Sequence, residues 1–136
     1  DTLFPYQEFA KRAAQSREQL LSFLYEARCE NKKVVALGAS TKGNVILQYC
    51  GLTQEDIACI GDVNPEKYGC YTPGTWLPIL SEDEVLDMDP DYVIILPWHF
   101  KNFFMESTKF VGYSLVLPLP EISFLNKKLG SVSYGN

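Results

Sequence analysis

Seven residues, Gly38-Ala39-Ser40-Thr41-Lys42-Gly43-Asn44, combine the features a phosphate-holding loop needs. Gly38 permits a tight turn, Gly43 permits close packing, and two hydroxyls and a lysine stand between them. Where such a loop joins a strand to a helix, the first helical amides and the positive end of the helix dipole favour an anion. Ser40 occupies the place where a dinucleotide loop usually has its second glycine. The backbone then approaches a ligand less closely, but a hydroxyl is gained. Lys42 adds a positive charge. The plainer alternative is a glycine-rich turn that binds nothing.

Other chemistry-bearing residues are expected to converge on the same place. Asp62 follows about 20 residues later, the spacing from which an acidic group reaches a ribose hydroxyl in dinucleotide sites. It can equally be a surface carboxylate that opens a turn. Asn64 would line the same crevice, although Asn64-Pro65-Glu66-Lys67 and Tyr71-Thr72-Pro73-Gly74-Thr75 read first as structured turns. His99 is the only histidine. In Trp98-His99-Phe100 it is either a proton-transfer group or a hydrogen-bond donor at a helix start. Glu121, set between Pro120 and Ile122, can face the same crevice. A single histidine without a nearby cysteine, and four cysteines without a C-x-x-C pair, give no metal site.

The elements that must position these residues alternate between helix and strand. Residues 4–31 read as one long helix, with Phe9, Ala13, Leu20, Leu24 and Ala27 on one stripe. Val34–Leu37 is a short, wholly apolar run of the kind that buried parallel strands show. A helix follows the glycine loop as far as Gly51, and a second strand spans Ile57–Gly61 and ends at Asp62. Leu77–Leu80 is a brief strand, and Ser81-Glu82-Asp83-Glu84 has the capping-box pattern that starts a helix. Tyr92–Leu96 is the clearest strand, followed by a helix to about Lys109. Ser114–Leu117 and Ile122–Phe124 read as edge strands because Pro118 and Pro120 interrupt them. The expectation is an α/β fold, a Rossmann-like doubly wound and mostly parallel sheet with a long N-terminal helix. It forms one domain over residues 1–125, followed by a loose tail, residues 126–136.

Bulk properties narrow the function. A chain of 136 residues carrying 12 Lys+Arg against 17 Asp+Glu, net −5, lacks the clustered basic face that nucleic-acid binding requires. An anionic ligand has to be held locally, by amides and a lysine. No apolar run approaches the length of a membrane span, about 20 residues. The chain opens on Asp1-Thr2-Leu3-Phe4-Pro5, without a signal-peptide pattern or an initiator Met. It is expected to be a piece of a longer, cytoplasmic protein whose thiols stay reduced.

Five stretches occur in order: Gly38–Asn44, Asp62–Lys67, Thr72–Thr75, Leu96–Phe100 and Pro118–Glu121. Over about Pro5 to Phe124 the series resembles the C-terminal domain of SAM-dependent C-methyltransferases that act on nucleotide-linked deoxysugars. The resemblance implies a three-part enzyme with an N-terminal zinc-binding segment, a central domain that binds S-adenosylmethionine, and this Rossmann-like domain. The last helps hold the nucleotide diphosphate-sugar, closes the cleft and binds no S-adenosylmethionine itself. The implied chemistry removes a proton beside a sugar ketone and methylates the enolate carbon. The base and both cofactors belong mainly to the other parts, so these residues alone are expected to methylate nothing. The implied partners are the sugar nucleotide and the upstream SAM-binding domain. The substrate contacts would be Gly38, Ser40, Thr41, Lys42, Gly43, Asn44, Asp62 and Asn64, with His99 and Glu121 nearer the sugar. Two other readings stay open, a nicotinamide-binding oxidoreductase domain and a non-binding assembly module docked through Phe9, Leu20 and Leu24.

Overall fold

The computed structural model describes residues 3–96, 101–118, 122–126 and 133–135. The chain begins with α1 (Leu3–Cys29), a helix roughly 40 Å long at 1.5 Å per residue. Leu20, Leu24 and Ala27, spaced by four and three residues, are buried on one face, with Ser16 buried one turn earlier. The helix stops where Asn31 adopts φ 57°, a left-handed conformation that asparagine tolerates, and the Lys32 amide turns back to the Ala27 carbonyl at 2.9 Å.

The strands are β1 (Val34–Leu37), β2 (Ile60–Asp62), β3 (Ile79–Ser81), β4 (Tyr92–Ile95), β5 (Ser114–Leu117), β6 (Ser123–Asn126) and β7 (Ser133–Gly135). Between them lie α2 (Thr41–Tyr49), α3 (Glu82–Leu86) and α4 (Lys101–Glu106). The sheet runs β3-β2-β1-β4-β5-β6-β7. Pairing is parallel from β3 through β5 and antiparallel at β5–β6 and β6–β7. This is the doubly wound, mostly parallel sheet expected from the sequence.

Alternation along β1 shows how the layers form. Val34 and Ala36 belong to a core shared with Leu20 and Leu24 of α1 and Leu47 of α2. Val35 and Leu37 join Val85 and Leu86 of α3 and Phe104 of α4 on the opposite face. A strand buried on both faces has to be apolar throughout, which explains its unbroken run. Among the described residues no helix is long and apolar enough to cross a membrane.

Three expectations shift. Ser114–Leu117 is an interior strand, parallel to β4 on one side and paired with β6 on the other, and not an edge. Pro118 falls just past its end and takes no N–H from its ladder. The expected strand at Leu77–Leu80 is displaced to Ile79–Ser81, because Pro78 is occupied in an antiparallel bridge with Tyr71. The tail 126–136, expected to be loose, contributes Asn126 to β6 and Ser133–Gly135 to β7, which covers the outer edge of β6.

Leu20 and Leu24 are consumed by the domain's own core, and the side chain of Phe9 lies outside the described residues. The capping box forms as the sequence implies: the Glu84 amide donates to Ser81 Oγ at 3.1 Å, and the Ser81 amide to Glu84 Oε1 at 3.4 Å.

Candidate functional site

The strand order reverses between β1 and β4, the point where open α/β sheets leave a crevice at the carboxyl ends of their strands. α2 starts there. Gly38, at φ 94°, turns the chain out of β1, and its amide donates to the Gly61 carbonyl at 2.8 Å. Ser40 caps α2, with Oγ accepting the Gly43 amide at 3.1 Å. The Ser40 amide goes to the Gly38 carbonyl at 2.9 Å and the Asn44 amide to the Ser40 carbonyl at 2.8 Å. Thr41 and Lys42 therefore supply the helix-opening amides that no preceding turn pairs. A Cβ on Gly43 would stand 2.7 Å from the Gly38 carbonyl oxygen and 3.1 Å from Leu96 Cδ1. Glycine is needed there for the helix to sit against the ends of β1 and β4.

Asp62 ends β2 and is only 8% exposed. Its Oδ2 accepts the Ala39 amide at 2.9 Å and its Oδ1 accepts the Asn64 amide at 2.8 Å. One carboxylate thus ties the loop after β1 to the loop after β2. Lys67 closes the same brace from outside: Nζ donates to the Ala39 carbonyl at 2.7 Å and lies 3.8 Å from Asp62 Oδ2. The Tyr68 hydroxyl donates to the Asp62 carbonyl at 2.9 Å. Asn64 caps the short 3-10 turn Pro65–Lys67, with Oδ1 accepting the Glu66 amide at 3.1 Å.

The electrostatics favour an anion at this edge. The first turn of α2 holds no acidic residue, whereas that of α3 holds Glu82, Asp83 and Glu84. Lys42 is instead the second residue of α2. The opposing charge, Asp62, is buried, and each of its oxygens accepts one backbone amide.

Gly38, Ser40, Thr41, Lys42, Gly43, Asn44, Asp62 and Asn64 thus gather around the ends of β1 and β2. His99 and Glu121 lie outside the described residues. Leu96, whose amide donates to the Leu37 carbonyl at 3.1 Å, brings the chain to this same edge. Asn44 Oδ1 is buried and has no hydrogen-bond partner among the described residues. Thr72–Thr75 is elsewhere. Gln48, near the far end of α2, donates through Nε2 to the Pro73 carbonyl at 2.8 Å. That point is about 12 Å along the helix from Ser40.

Sequence reasoning missed Lys67 and Tyr68 as parts of this assembly. Lys67 was visible only as a member of a turn, and its contact with Ala39 spans 28 residues, which no local pattern reveals. Among the described residues no group of three or more His, Cys, Asp or Glu side chains is arranged to hold a metal ion.

A C-methyltransferase C-terminal domain is the family whose model matches residues 1–120. The chain belongs to this family. It is also similar to the C-methyltransferase NovU of Streptomyces niveus, at 32% identity over 119 residues. That match covers 85% of this chain and 28% of NovU, so the chain spans about 28% of the length of that relative. In this C-methyltransferase C-terminal domain the matched region contains the whole crevice described above, from the glycine loop through Lys67 to the end of β4.

Proposed function

We propose that this domain holds the sugar nucleotide for a SAM-dependent C-methyltransferase acting on a carbon of a nucleotide-linked keto-deoxysugar. The single observation that carries the reading is the start of α2. There, two helix-opening amides without a partner among the described residues and no acidic residue in the first turn lie at the switch point of the sheet, with Lys42 in that turn. A diphosphate linkage seated there would meet the amides of Thr41 and Lys42. His99 and Glu121, on the segments after β4 and β5, are assigned to the sugar end. S-adenosylmethionine and zinc are assigned to other parts of the parent chain, together with the catalytic base, so the isolated domain binds and orients without methylating. The setting is assigned to the cytoplasm, in keeping with four cysteines that are all unpaired.

The nicotinamide alternative needs Asp62 to offer an oxygen to a ribose hydroxyl. Each of its oxygens already accepts a backbone amide in a buried setting, which disfavours that reading.

The test is a titration of the domain with a thymidine diphosphate-sugar, followed by amide chemical shifts. The expected result is saturable perturbation centred on Ser40–Asn44, with Asn64 and Lys67 following. Shifts confined to residues 126–136, or none at millimolar ligand, would refute the proposal.

A further inference from the structure

An anionic ligand at this crevice of an acidic chain would call for a fixed positive charge, and the structure holds one on a residue outside the glycine loop. Lys67 Nζ is anchored by the Ala39 carbonyl at 2.7 Å, and Ala39 directly precedes the residue that caps α2. Its side chain is 39% exposed, so part of it is open to solvent beside the brace. An ammonium has three N–H donors. One is committed to Ala39, and Asp62 Oδ2, at 3.8 Å, lies beyond hydrogen-bond reach. Asp62 satisfies its own oxygens with the Ala39 and Asn64 amides, so it holds Lys67 in place electrostatically without consuming its donors.

A lysine side chain carries considerable rotamer entropy, part of which is surrendered when it grips a ligand. Anchoring Nζ beforehand removes most of that cost and fixes where the charge stands.

We infer that Lys67 is the pre-positioned cation of the site, contributing the N–H donors that no described residue takes to a phosphate oxygen of the ligand seated at the start of α2. This rests on the sugar-nucleotide reading above and deepens it by naming the group that neutralises the diphosphate. A bracing role alone would need only the donor to Ala39. A ligand role needs the charge.

Three substitutions separate the two. Lys67→Arg keeps both donor and charge, Lys67→Gln keeps a donor without charge, and Lys67→Met keeps neither. Affinity for uridine diphosphate and for inorganic pyrophosphate is measured by calorimetry at two salt concentrations, with thermal melting confirming that each variant is folded. The expected result is a loss of roughly 10- to 100-fold for both Lys67→Gln and Lys67→Met, the range of a hydrogen bond to a charged group. Lys67→Arg should stay close to the parent, and the two neutral variants should show a flatter salt dependence.

Recovery of affinity by Lys67→Gln would reduce Lys67 to a brace and overturn the inference, as would unchanged binding in all three variants. If the parent domain itself binds neither probe, the sugar-nucleotide reading fails first, which is a distinguishable outcome.

Discussion

Replacing Asp62 by asparagine changes one oxygen to an amide nitrogen and nothing else in shape, which makes it the sharpest probe of the brace. In the parent, Oδ2 faces the Ala39 amide and Oδ1 faces the Asn64 amide, so the site presents two donors to two acceptors. Whichever way the new carboxamide turns, its NH2 group opposes one of those N–H groups. One charge-assisted bond is lost, a buried donor is left facing another donor, and the attraction to Lys67 disappears. The expected cost is about 2–4 kcal/mol. For a chain of this length that corresponds to a fall in Tm of about 7–14 °C. Urea titration followed by circular dichroism measures it, with an unchanged slope showing that the unfolded state is not the cause. The Ala39 and Asn64 amide protons should also move upfield in NMR spectra. A midpoint for Asp62→Asn within about 0.5 kcal/mol of the parent, the range of an ordinary surface change, would refute the brace.

Other outcomes follow from the same geometry. Gly43→Ala gains helix propensity of at most about 1 kcal/mol, yet forces a Cβ to 2.7 Å from the Gly38 carbonyl oxygen. Overpacking wins, so a net loss of about 1–2 kcal/mol in urea titration is expected, and a variant more stable than the parent would contradict the packing described. Asn44→Leu removes a buried acceptor that has no partner among the described residues and should raise stability by up to about 1 kcal/mol. If Asn44 serves the ligand, the same variant should bind a thymidine diphosphate-sugar less tightly while melting higher. Burial raises the thiol pKa of Cys50 and of Cys59, with nearby Arg17 and Lys33 respectively opposing the rise only in part. A disulfide-exchange reagent at pH 8 should therefore modify the exposed Cys29 and Cys70 quickly, and the other two only on unfolding.

Much of the frame was legible because it rests on short-range rules. The wholly apolar runs at Val34–Leu37 and Tyr92–Ile95 mark strands buried on both faces, and Ser81 with Glu84 announces its own helix start. The placement of β5 was not legible, since a proline in the sequence does not reveal whether it falls inside a ladder or one residue past it. At the site, Gly38, Ser40 and Gly43 could be read as the joints of a strand-to-helix turn. What Asp62 does could not. Its partners are amides of Ala39 and Asn64, and an amide's direction follows from the packed fold rather than from residue type. Lys67 escaped notice for the same reason, because its partner is a carbonyl, a group every residue carries.

The stretch that follows β2 leaves from one end of α2 and docks on the other. It begins at the Asp62 brace beside Ser40 and reaches Gln48 through the Pro73 carbonyl. Thr72 and Thr75, buried with their hydroxyls 2.6 Å apart, stiffen the turn that carries Trp76. Trp76 itself is 67% exposed, and its carbonyl accepts Gln54 Nε2 at 2.7 Å. The helix and this strut are therefore tied together at both ends, with an indole mounted at the end remote from the crevice. In a Trp98→Phe variant, which leaves Trp76 as the one tryptophan, a ligand that tilts α2 where it starts is expected to alter the emission from the opposite rim, without any dye being attached.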